Sequence, residues 1–173
     1  MAKPAAARVI LLGLMGSGKT TIGEVLAKRT GWPALDNDAL LRELTGKTLN
    51  EVAALGADQL HAAERDILLH VLTRPAPFIA GAAAAVIEYP EVTPALHQGA
   101  FAVYLHVPPA ELVTRIGDDA NRPWLKPDPL AALTSMYETR DALYRRAAAY
   151  VVDGTLLPDL VGDRIYAELP RPL

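Results

Sequence analysis

The residues with the clearest chemical meaning lie in one glycine-rich stretch near the N-terminus. Residues 13–21 read Gly-Leu-Met-Gly-Ser-Gly-Lys-Thr-Thr and match the pattern G-x-x-x-x-G-K-[ST]. Glycines let a backbone turn tightly beside a ligand, and the N–H groups at a helix N-terminus favour a phosphate. Lys19 adds a positive charge against the outer phosphates, and the Thr20 hydroxyl can ligate Mg²⁺. The pattern predicts a site for a nucleotide and its metal, formed by Gly13, Gly16, Ser17, Gly18, Lys19, Thr20 and Thr21.

The carboxylates of Asp36 and Asp38 form a second group that could do chemistry. Alternate residues of an extended segment point in opposite directions, so one carboxylate could face the metal and the other an acceptor. Phosphoryl transfer needs both, because Mg²⁺ neutralises charge while a base orients the attacking hydroxyl. Asp38 could instead cap a helix predicted from Ala39 to Thr45. The glycine-rich loop makes the catalytic interpretation the preferred one.

Arginines supply the other charged candidates. Arg115 and Arg122 flank residues 117–121, at the start of a polar, proline-rich segment at about residues 117–129, and such a segment could close over phosphates as a lid. A solvated surface loop would have the same composition, so the residues alone leave both interpretations open. Arg140, on a later predicted helix, could reach an anionic acceptor, and Glu64 could hold that arginine in place. Most helical arginines are only solvated, which is the alternative for Arg140.

Short apolar runs alternate with helical patterns along the chain, which predicts an α/β fold with a parallel sheet covered on both faces. Buried strands are predicted at residues 8–12, 78–80, 100–107 and 150–153, with a short extended segment at 32–35. Ligands bind such sheets at the carboxyl ends of the strands. The glycine-rich loop, Asp36–Asp38 and Gly81–Ala84 each follow a predicted strand, so they should converge on one cleft. Thr48 and Glu51 have the spacing of a helix capping box.

Composition narrows the class of protein further. The chain has 173 residues, a net charge of −3 and no cysteine. We expect a single domain over residues 1–173, with no nucleic-acid surface because no dense basic run is present. The lack of cysteine excludes a disulfide framework and a thiolate zinc site, and the four histidines have no metal-ligand spacing. No apolar stretch could span a bilayer, so we expect a cytoplasmic, monomeric protein that acts on a small molecule.

In combination, these motifs resemble the shikimate kinases. The resemblance rests on Gly13–Gly23, on Leu35-Asp36-Asn37-Asp38, on Arg122-Pro-x-Leu125 and on Arg140-x-x-Leu143-Tyr144, and it runs from about Arg8 to Ile165. It implies the P-loop fold of nucleoside-monophosphate-kinase-like proteins, a three-layer sandwich with five parallel strands in the order 2-3-1-4-5. It also implies ATP and Mg²⁺, and transfer of the γ-phosphoryl group to a hydroxyl of shikimate or a similar small hydroxy acid.

The resemblance assigns roles to the residues around the phosphates. Lys19 and Thr20 would hold the phosphates and the metal, and Asp36 would support Mg²⁺ through water. Asp38 would bind the acceptor hydroxyl and serve as the base. Arg122 would close on the phosphates from the lid, and Arg115 would lie near the adenine.

The residues expected around the acceptor depart from the family pattern. Arg140 would grip the acceptor carboxylate, but His61 stands where the family has a second arginine, and Ala82, Ala83 and Ala84 replace three glycines. A lost charged hydrogen bond costs about 1.5–3 kcal/mol. His61 could replace part of it only when protonated. An alanine Cβ would crowd the acceptor and resist positive φ. Two alternatives follow, namely a kinase for a sugar acid or nucleoside, and a nucleotide-binding protein without kinase turnover.

Overall fold

The apolar runs of the sequence form one parallel sheet. A computed structural model describes residues 4–117 and 125–171. Its strands are β1 (Arg8–Leu12), β2 (Phe78–Gly81), β3 (Phe101–His106) and β4 (Tyr150–Asp153), in the spatial order β2-β1-β3-β4. Strand β1 pairs with β2 on one side and β3 on the other, so the glycine-rich loop leaves the sheet from the end of an inner strand.

Helices connect and cover these strands. They are α1 (Lys19–Thr30), α2 (Asn37–Thr45), α3 (Leu49–Ala53), α4 (Ala57–Thr73), α5 (Val92–Gly99), α6 (Pro109–Ile116), α7 (Pro129–Ala147) and α8 (Pro158–Glu168). A 3-10 helix at Ala84–Glu88, which the sequence patterns do not predict, lies between β2 and α5. Within residues 4–117 and 125–171, no helix is both long and apolar enough to cross a bilayer.

The side chains of β1 alternate between two hydrophobic cores. Ile10 and Leu12 belong to the core on one face, with buried residues of α2 to α7. Val9 and Leu11 belong to the core on the other face, with buried residues of α1 and α8. Both faces of the sheet are therefore covered, as the unbroken apolar runs predict. This arrangement leaves the carboxyl ends of the strands as the edge where functional residues can gather.

The prediction of five strands is wrong in one respect, because the described residues form four. The segment at residues 32–35 makes only an isolated parallel bridge between Ala34 and Ile79, beside β2. Leu35 N–H donates to Ile79 O at 2.8 Å, and Ile79 N–H donates to Pro33 O at 2.9 Å. Pro33 has no N–H, so it cannot extend the ladder as a strand residue would. The segment occupies the predicted edge position without becoming a strand.

The capping box predicted at the start of α3 is confirmed. Thr48 N–H donates to Glu51 Oε2 at 2.7 Å, and Glu51 N–H donates to Thr48 Oγ1 at 3.3 Å. The Glu51 carboxylate also accepts from the Thr48 hydroxyl at 2.9 Å. The hydrogen bonds to this carboxylate, above all the one from the Thr48 backbone and then the one from the hydroxyl, lower the pKa of Glu51. The box fixes the start of the short helix that leads into α4.

A polar cluster fastens α7 to the sheet. The hydroxyl of Tyr104, on β3, donates to Asp141 Oδ1 at 2.9 Å, and Arg145 Nε donates to Asp141 Oδ2 at 2.9 Å. Next to it, His106 Nε2 and the Tyr137 hydroxyl are hydrogen-bonded at 2.7 Å. Burial alone would raise the pKa of Asp141, but the hydrogen bonds from Arg145 and Tyr104 outweigh it and lower that pKa. The carboxylate form of Asp141 is therefore the form that holds α7 in place.

Replacing Asp141 by alanine should destabilise the fold by about 1–3 kcal/mol, because the Tyr104 hydroxyl would stay buried without its acceptor. Asp141→Asn keeps an acceptor oxygen and should cost less. A lowered folded-state pKa means that the carboxylate stabilises above the unfolded-state pKa of about 3.9, and that this stabilisation is lost as the pH falls through the lower folded-state value. Urea unfolding at neutral and acidic pH measures both effects. Glu138→Ala, at an exposed position of α7, is the control, and an equal loss in both alanine variants would contradict the prediction.

Candidate active site

The glycine-rich loop between β1 and α1 has a backbone that favours glycine at three positions. Gly13 has φ of +148°, Gly16 has φ of +79° and Gly18 has φ of +98°. A Cβ on Gly13 would lie 2.6 Å from Ser17 Oγ, and a Cβ on Gly16 would lie 2.8 Å from Ile116 Cγ1. Neither separation is possible between real atoms without movement of the neighbours. The sequence pattern and the folded loop agree, since the spacing of the glycines follows from this tight turn.

The loop presents groups suited to an anionic phosphate. Lys19, the first residue of α1, turns its Nζ back onto the loop and donates to Gly13 O at 2.7 Å and to Leu14 O at 3.0 Å. Ser17 Oγ is buried and, within the described part of the chain, has no hydrogen-bond partner. An ammonium, an unsatisfied hydroxyl and a helix N-terminus at one loop are the donor set that a phosphate needs.

Arg115 lies beside this loop. Its Nη2 donates to Gly154 O at 2.8 Å, in the turn after β4, and its Nε donates to Glu111 Oε1 at 3.1 Å. Its Nη1 is 3.5 Å from Ser17 O. Arg115 thus bridges the loop and the end of β4, on the nucleotide side of the site. The other arginine predicted for this side, Arg122, lies outside the described residues, as does most of the predicted lid.

Asp36 and Asp38 lie at the start of α2, with different structural roles. The Asp36 carboxylate accepts from Asp38 N–H at 2.9 Å, so Asp36 is the N-cap and the helix begins at Asn37. The interpretation of Asp38 as the cap is wrong, because Asp38 lies in the first turn with its side chain exposed. The capping carboxylate fixes the backbone of Asp38, which leaves the second carboxylate available for chemistry.

A cavity of about 170 Å³ lies between α2, α4 and the end of β2. Its polar walls come from Asn37, Asp38 and Glu64, and the end of β2 supplies Gly81 and the two alanines that follow. The complete lining is Asn37, Asp38, Leu41, Leu49, Glu64, Ile67, Leu68, Val71, Ala80, Gly81, Ala82 and Ala83. Three residues predicted for the acceptor, Asp38, Ala82 and Ala83, are therefore together. The other three, His61, Ala84 and Arg140, are not in this lining.

The end of β2 joins the cavity to the glycine-rich loop. A Cβ placed on Gly81 would lie 3.5 Å from the Cβ of Lys19, which is ordinary contact distance. Gly81 also lines the cavity with Asp38. Gly81 is thus next to both the cavity and Lys19 of the glycine-rich loop.

The charged residues expected to grip an acceptor have other partners. Arg140 Nε donates to Glu88 Oε1 at 2.9 Å, and the arginine side chain is only 12% exposed. Glu64 does not hold Arg140, as the sequence suggested it could. Glu64 Oε2 instead lies 3.0 Å from His61 Nδ1, one helical turn away on α4. His61 is therefore paired with a carboxylate of the cavity wall.

The three alanines after β2 adopt ordinary backbone conformations. Ala82 N–H donates to Leu11 O at 2.9 Å, and Ala83 has φ of −61°. In residues 4–117 and 125–171, no residue other than glycine has positive φ, so the expected resistance of alanine to positive φ does not arise here. The Tyr144 hydroxyl donates to Ala84 O at 2.7 Å, which fixes the 3-10 helix against α7.

Sequence reasoning missed the parts played by two residues, Asn37 in the cavity wall and Tyr144 behind the 3-10 helix. Asn37 Nδ2 donates to Gly81 O at 2.7 Å, although the sequence only places it between two aspartates. Tyr144 ends one of the motifs that carry the family resemblance, but no role was predicted for its hydroxyl. In both cases, the signal in the sequence was that the residue lies inside a motif that carries the family resemblance.

Comparisons with known proteins agree with this geometry. A family model described as shikimate kinase matches residues 15–170. The shikimate kinase of Dechloromonas aromatica (strain RCB) is 36% identical over 150 residues, covering 86% of this chain and 82% of that protein. The shikimate kinase of Synechococcus sp. (strain CC9902) is 34% identical over 164 residues, covering 94% of this chain and 85% of that protein.

Solved structures give the same result. The shikimate kinase from Acinetobacter baumannii, solved in complex with shikimate, matches with a TM-score of 0.84 and 28% identity, covering 94% of this chain and 92% of that chain. The shikimate kinase from Bacteroides thetaiotaomicron has the same fold, with a TM-score of 0.82. The phosphate loop, the aspartate at the cavity and the match over most of the chain lead to one conclusion: this chain belongs to the shikimate kinase family and is an ATP-dependent phosphotransferase with an alcohol group as acceptor.

Proposed function

We propose that this protein transfers the γ-phosphoryl group of ATP to a hydroxyl of shikimate or a similar small hydroxy acid, bound in the cavity beside Asp38. The observation that carries the proposal is the position of Gly81, which lines the cavity with Asp38 and lies so near Lys19 that a Cβ on Gly81 would be 3.5 Å from the Lys19 Cβ. A transferred phosphoryl group needs donor and acceptor side by side, and this position of Gly81 supports such an arrangement.

The glycine-rich loop would hold the donor. Backbone N–H groups from Gly13 to Thr21 would cradle the phosphates, and Lys19 would leave its carbonyl partners to neutralise their charge. Arg115 would lie near the adenine. The Thr20 hydroxyl and the Asp36 carboxylate are oxygen donors of the kind that Mg²⁺ prefers, so they would hold the metal, Asp36 through water. Bound Mg²⁺ would supply charge neutralisation at the phosphates.

The cavity would hold the acceptor. Asp38 would accept the hydrogen bond of the attacking hydroxyl and take its proton. Arg140 would bind the acceptor carboxylate by exchanging its partner Glu88, which is 43% exposed and readily solvated. The backbone of Ala82–Ala84 and the side chain of His61 would complete the acceptor site. Arg122, from a lid at about residues 117–129, would close on the phosphates and exclude water.

We further infer that residues 1–173 form a single kinase domain, which works as a monomer in the cytoplasm and binds neither nucleic acid nor membranes. The net charge of −3 and the lack of a dense basic run support the absence of nucleic-acid binding.

A second acceptor class is supported by the charge of the cavity wall. The described lining contains the carboxylates of Asp38 and Glu64 but no lysine or arginine. Two carboxylates repel an acceptor carboxylate, whereas they can accept hydrogen bonds from neutral hydroxyl groups. An uncharged acceptor such as a nucleoside is therefore the alternative to a hydroxy acid at the same site.

An assay of ADP release with an acceptor panel separates these possibilities. Purified protein with ATP and Mg²⁺ is tested against shikimate, a sugar acid and a nucleoside, each over a range of concentrations. Stimulation by shikimate supports the first proposal, and stimulation only by the nucleoside supports the second. Nucleotide binding without stimulation by any member of the panel would contradict both.

His61→Arg should strengthen the binding of an acceptor carboxylate. An arginine at position 61 would bring a permanent positive charge to Glu64 at the cavity wall. The KM for shikimate should therefore fall by roughly one to two orders of magnitude at neutral pH. His70→Arg, on the same helix, is the control. A KM that is no lower in His61→Arg than in His70→Arg would contradict the prediction.

A further inference from the structure

We propose that Asn37 is a positioning residue that ties Asp38 to the end of β2, beside Lys19. This inference rests on the proposed function, because it assigns Asn37 a part in aligning the acceptor with the phosphate loop. The observation behind it is the hydrogen bond from Asn37 Nδ2 to Gly81 O, at 2.7 Å, between residues 44 positions apart. Both residues line the cavity.

The hydrogen bond joins the two sides of the site through a short chain of contacts. Asn37 is the first residue of α2 and is followed directly by Asp38, whose N–H is held by Asp36. Gly81 also lies next to Lys19, since a Cβ placed on Gly81 would be 3.5 Å from the Lys19 Cβ. The amide of Asn37 therefore sets how far the first turn of α2, and with it the carboxylate of Asp38, lies from the phosphate loop.

The chemistry of this position requires a neutral donor. Gly81 O is a backbone carbonyl, which only accepts hydrogen bonds, so its partner must carry an N–H or O–H. A carboxylate at position 37 would face that carbonyl with a second acceptor and add negative charge beside the phosphates. An alanine would leave the carbonyl to water. Asparagine supplies the donor without adding charge.

The helix itself does not depend on this hydrogen bond. Asp36 already caps α2, and Leu40 and Leu41 are buried in the core, so the helix is anchored along its apolar face. Loss of the Asn37 donor should therefore leave the fold intact and shift the first turn. Small displacements in a catalytic site are costly, since a misplacement of about 1 Å can lower a rate about 100-fold.

Steady-state kinetics of Asn37→Asp and Asn37→Ala test the consequence for catalysis. Asn50→Asp and Asn50→Ala are matched controls, because Asn50 lies exposed in the first turn of α3. We expect kcat to fall roughly 10- to 100-fold in the Asn37 variants, and more for aspartate than for alanine, while the KM for ATP changes little. Thermal unfolding should match that of the controls. An unchanged kcat, or a loss that follows the unfolded fraction, would overturn the proposal.

Amide hydrogen exchange tests whether the Asn37–Gly81 hydrogen bond holds α2 in place, and this measurement does not require catalytic turnover. Exchange across residues 36–41 should quicken in both Asn37 variants and stay unchanged in the Asn50 variants. If the unmodified protein releases no ADP with any acceptor, the proposed function fails, and the role of Asn37 is still decided by this measurement. Unchanged exchange at residues 36–41 would show that the Asn37 side chain does not hold α2 in place, which overturns the inference independently.

Discussion

Replacing Asp38 by asparagine should lower kcat by about 10²–10⁴-fold, the usual contribution of a positioned general base. The asparagine has the same size and shape, so the cavity wall and the first turn of α2 should remain as they are. It cannot take the proton of the attacking hydroxyl, because an amide is not a base at neutral pH. Nucleotide affinity should change little, since Asp38 lies on the acceptor side of the site.

The control for this prediction is Asp58→Asn. Asp58 is the second residue of α4, as Asp38 is the second residue of α2, and both are exposed. Both substitutions remove a negative charge from a first helical turn and therefore cost the same small dipole stabilisation, about 0.3–1 kcal/mol. Steady-state kinetics and thermal unfolding of the pair separate catalysis from stability. An Asp38→Asn protein that is as active as Asp58→Asn would show that Asp38 is not the base.

Replacing Lys19 by methionine should lower kcat by about 10²–10³-fold, as expected when one charge-stabilising group is removed from a transferring phosphoryl group. Methionine keeps much of the length of lysine but carries no charge. The affinity for ATP should also fall, because the lysine contacts the phosphates before the transfer as well as during it. Kinetics and nucleotide titration measure the two effects separately.

Lys28→Met is the matched control for Lys19. Lys28 lies exposed in the last turn of the same helix, α1, where it faces the negative end of the helix dipole. The Lys19 substitution also removes the hydrogen bonds to Gly13 O and Leu14 O, so thermal unfolding should be recorded for both variants. Nearly unchanged turnover in Lys19→Met would show that the phosphates bind away from Lys19.

The sheet could be predicted from the sequence because each strand is a short apolar run that is buried on both faces. Whether the edge segment at residues 32–35 forms a strand could not be predicted in the same way. Its predicted position beside β2 is correct, but strand formation depends on how many of its backbone N–H groups hydrogen-bond to the neighbouring strand. Pro33 removes one of them, and a single bridge remains.

The phosphate loop could be predicted in full because its chemistry is local. Its glycines, lysine and threonine are neighbours in sequence, and their backbone conformation follows from their spacing. The pair of aspartates could be singled out for the same reason. Which of the two caps α2 could not be predicted, since capping depends on where the helix begins. The structure starts α2 at Asn37 and makes Asp36 the cap.

The ion pair between Arg140 and Glu88 could not be predicted, because it joins residues that are distant in sequence. Glu64 and Glu88 are both plausible partners for Arg140, and the path of the 3-10 helix decides between them. The hydrogen bond from Asn37 to Gly81 is likewise set by the packing of α2 against β2. Side-chain pairings of this kind depend on the folded arrangement of helices, which periodicity does not contain.

Phosphorus NMR of a reaction mixture of the protein, ATP, Mg²⁺ and shikimate tests the proposed transfer most directly, because it observes the product itself. We predict a new phosphate monoester signal that grows with the ADP signals in equal amounts, and that grows about 10²–10⁴-fold more slowly with Asp38→Asn. ATP binding without formation of a shikimate ester would contradict the proposed acceptor. Formation of the ester by Asp38→Asn as fast as by the unmodified protein would contradict the role of Asp38 as the base.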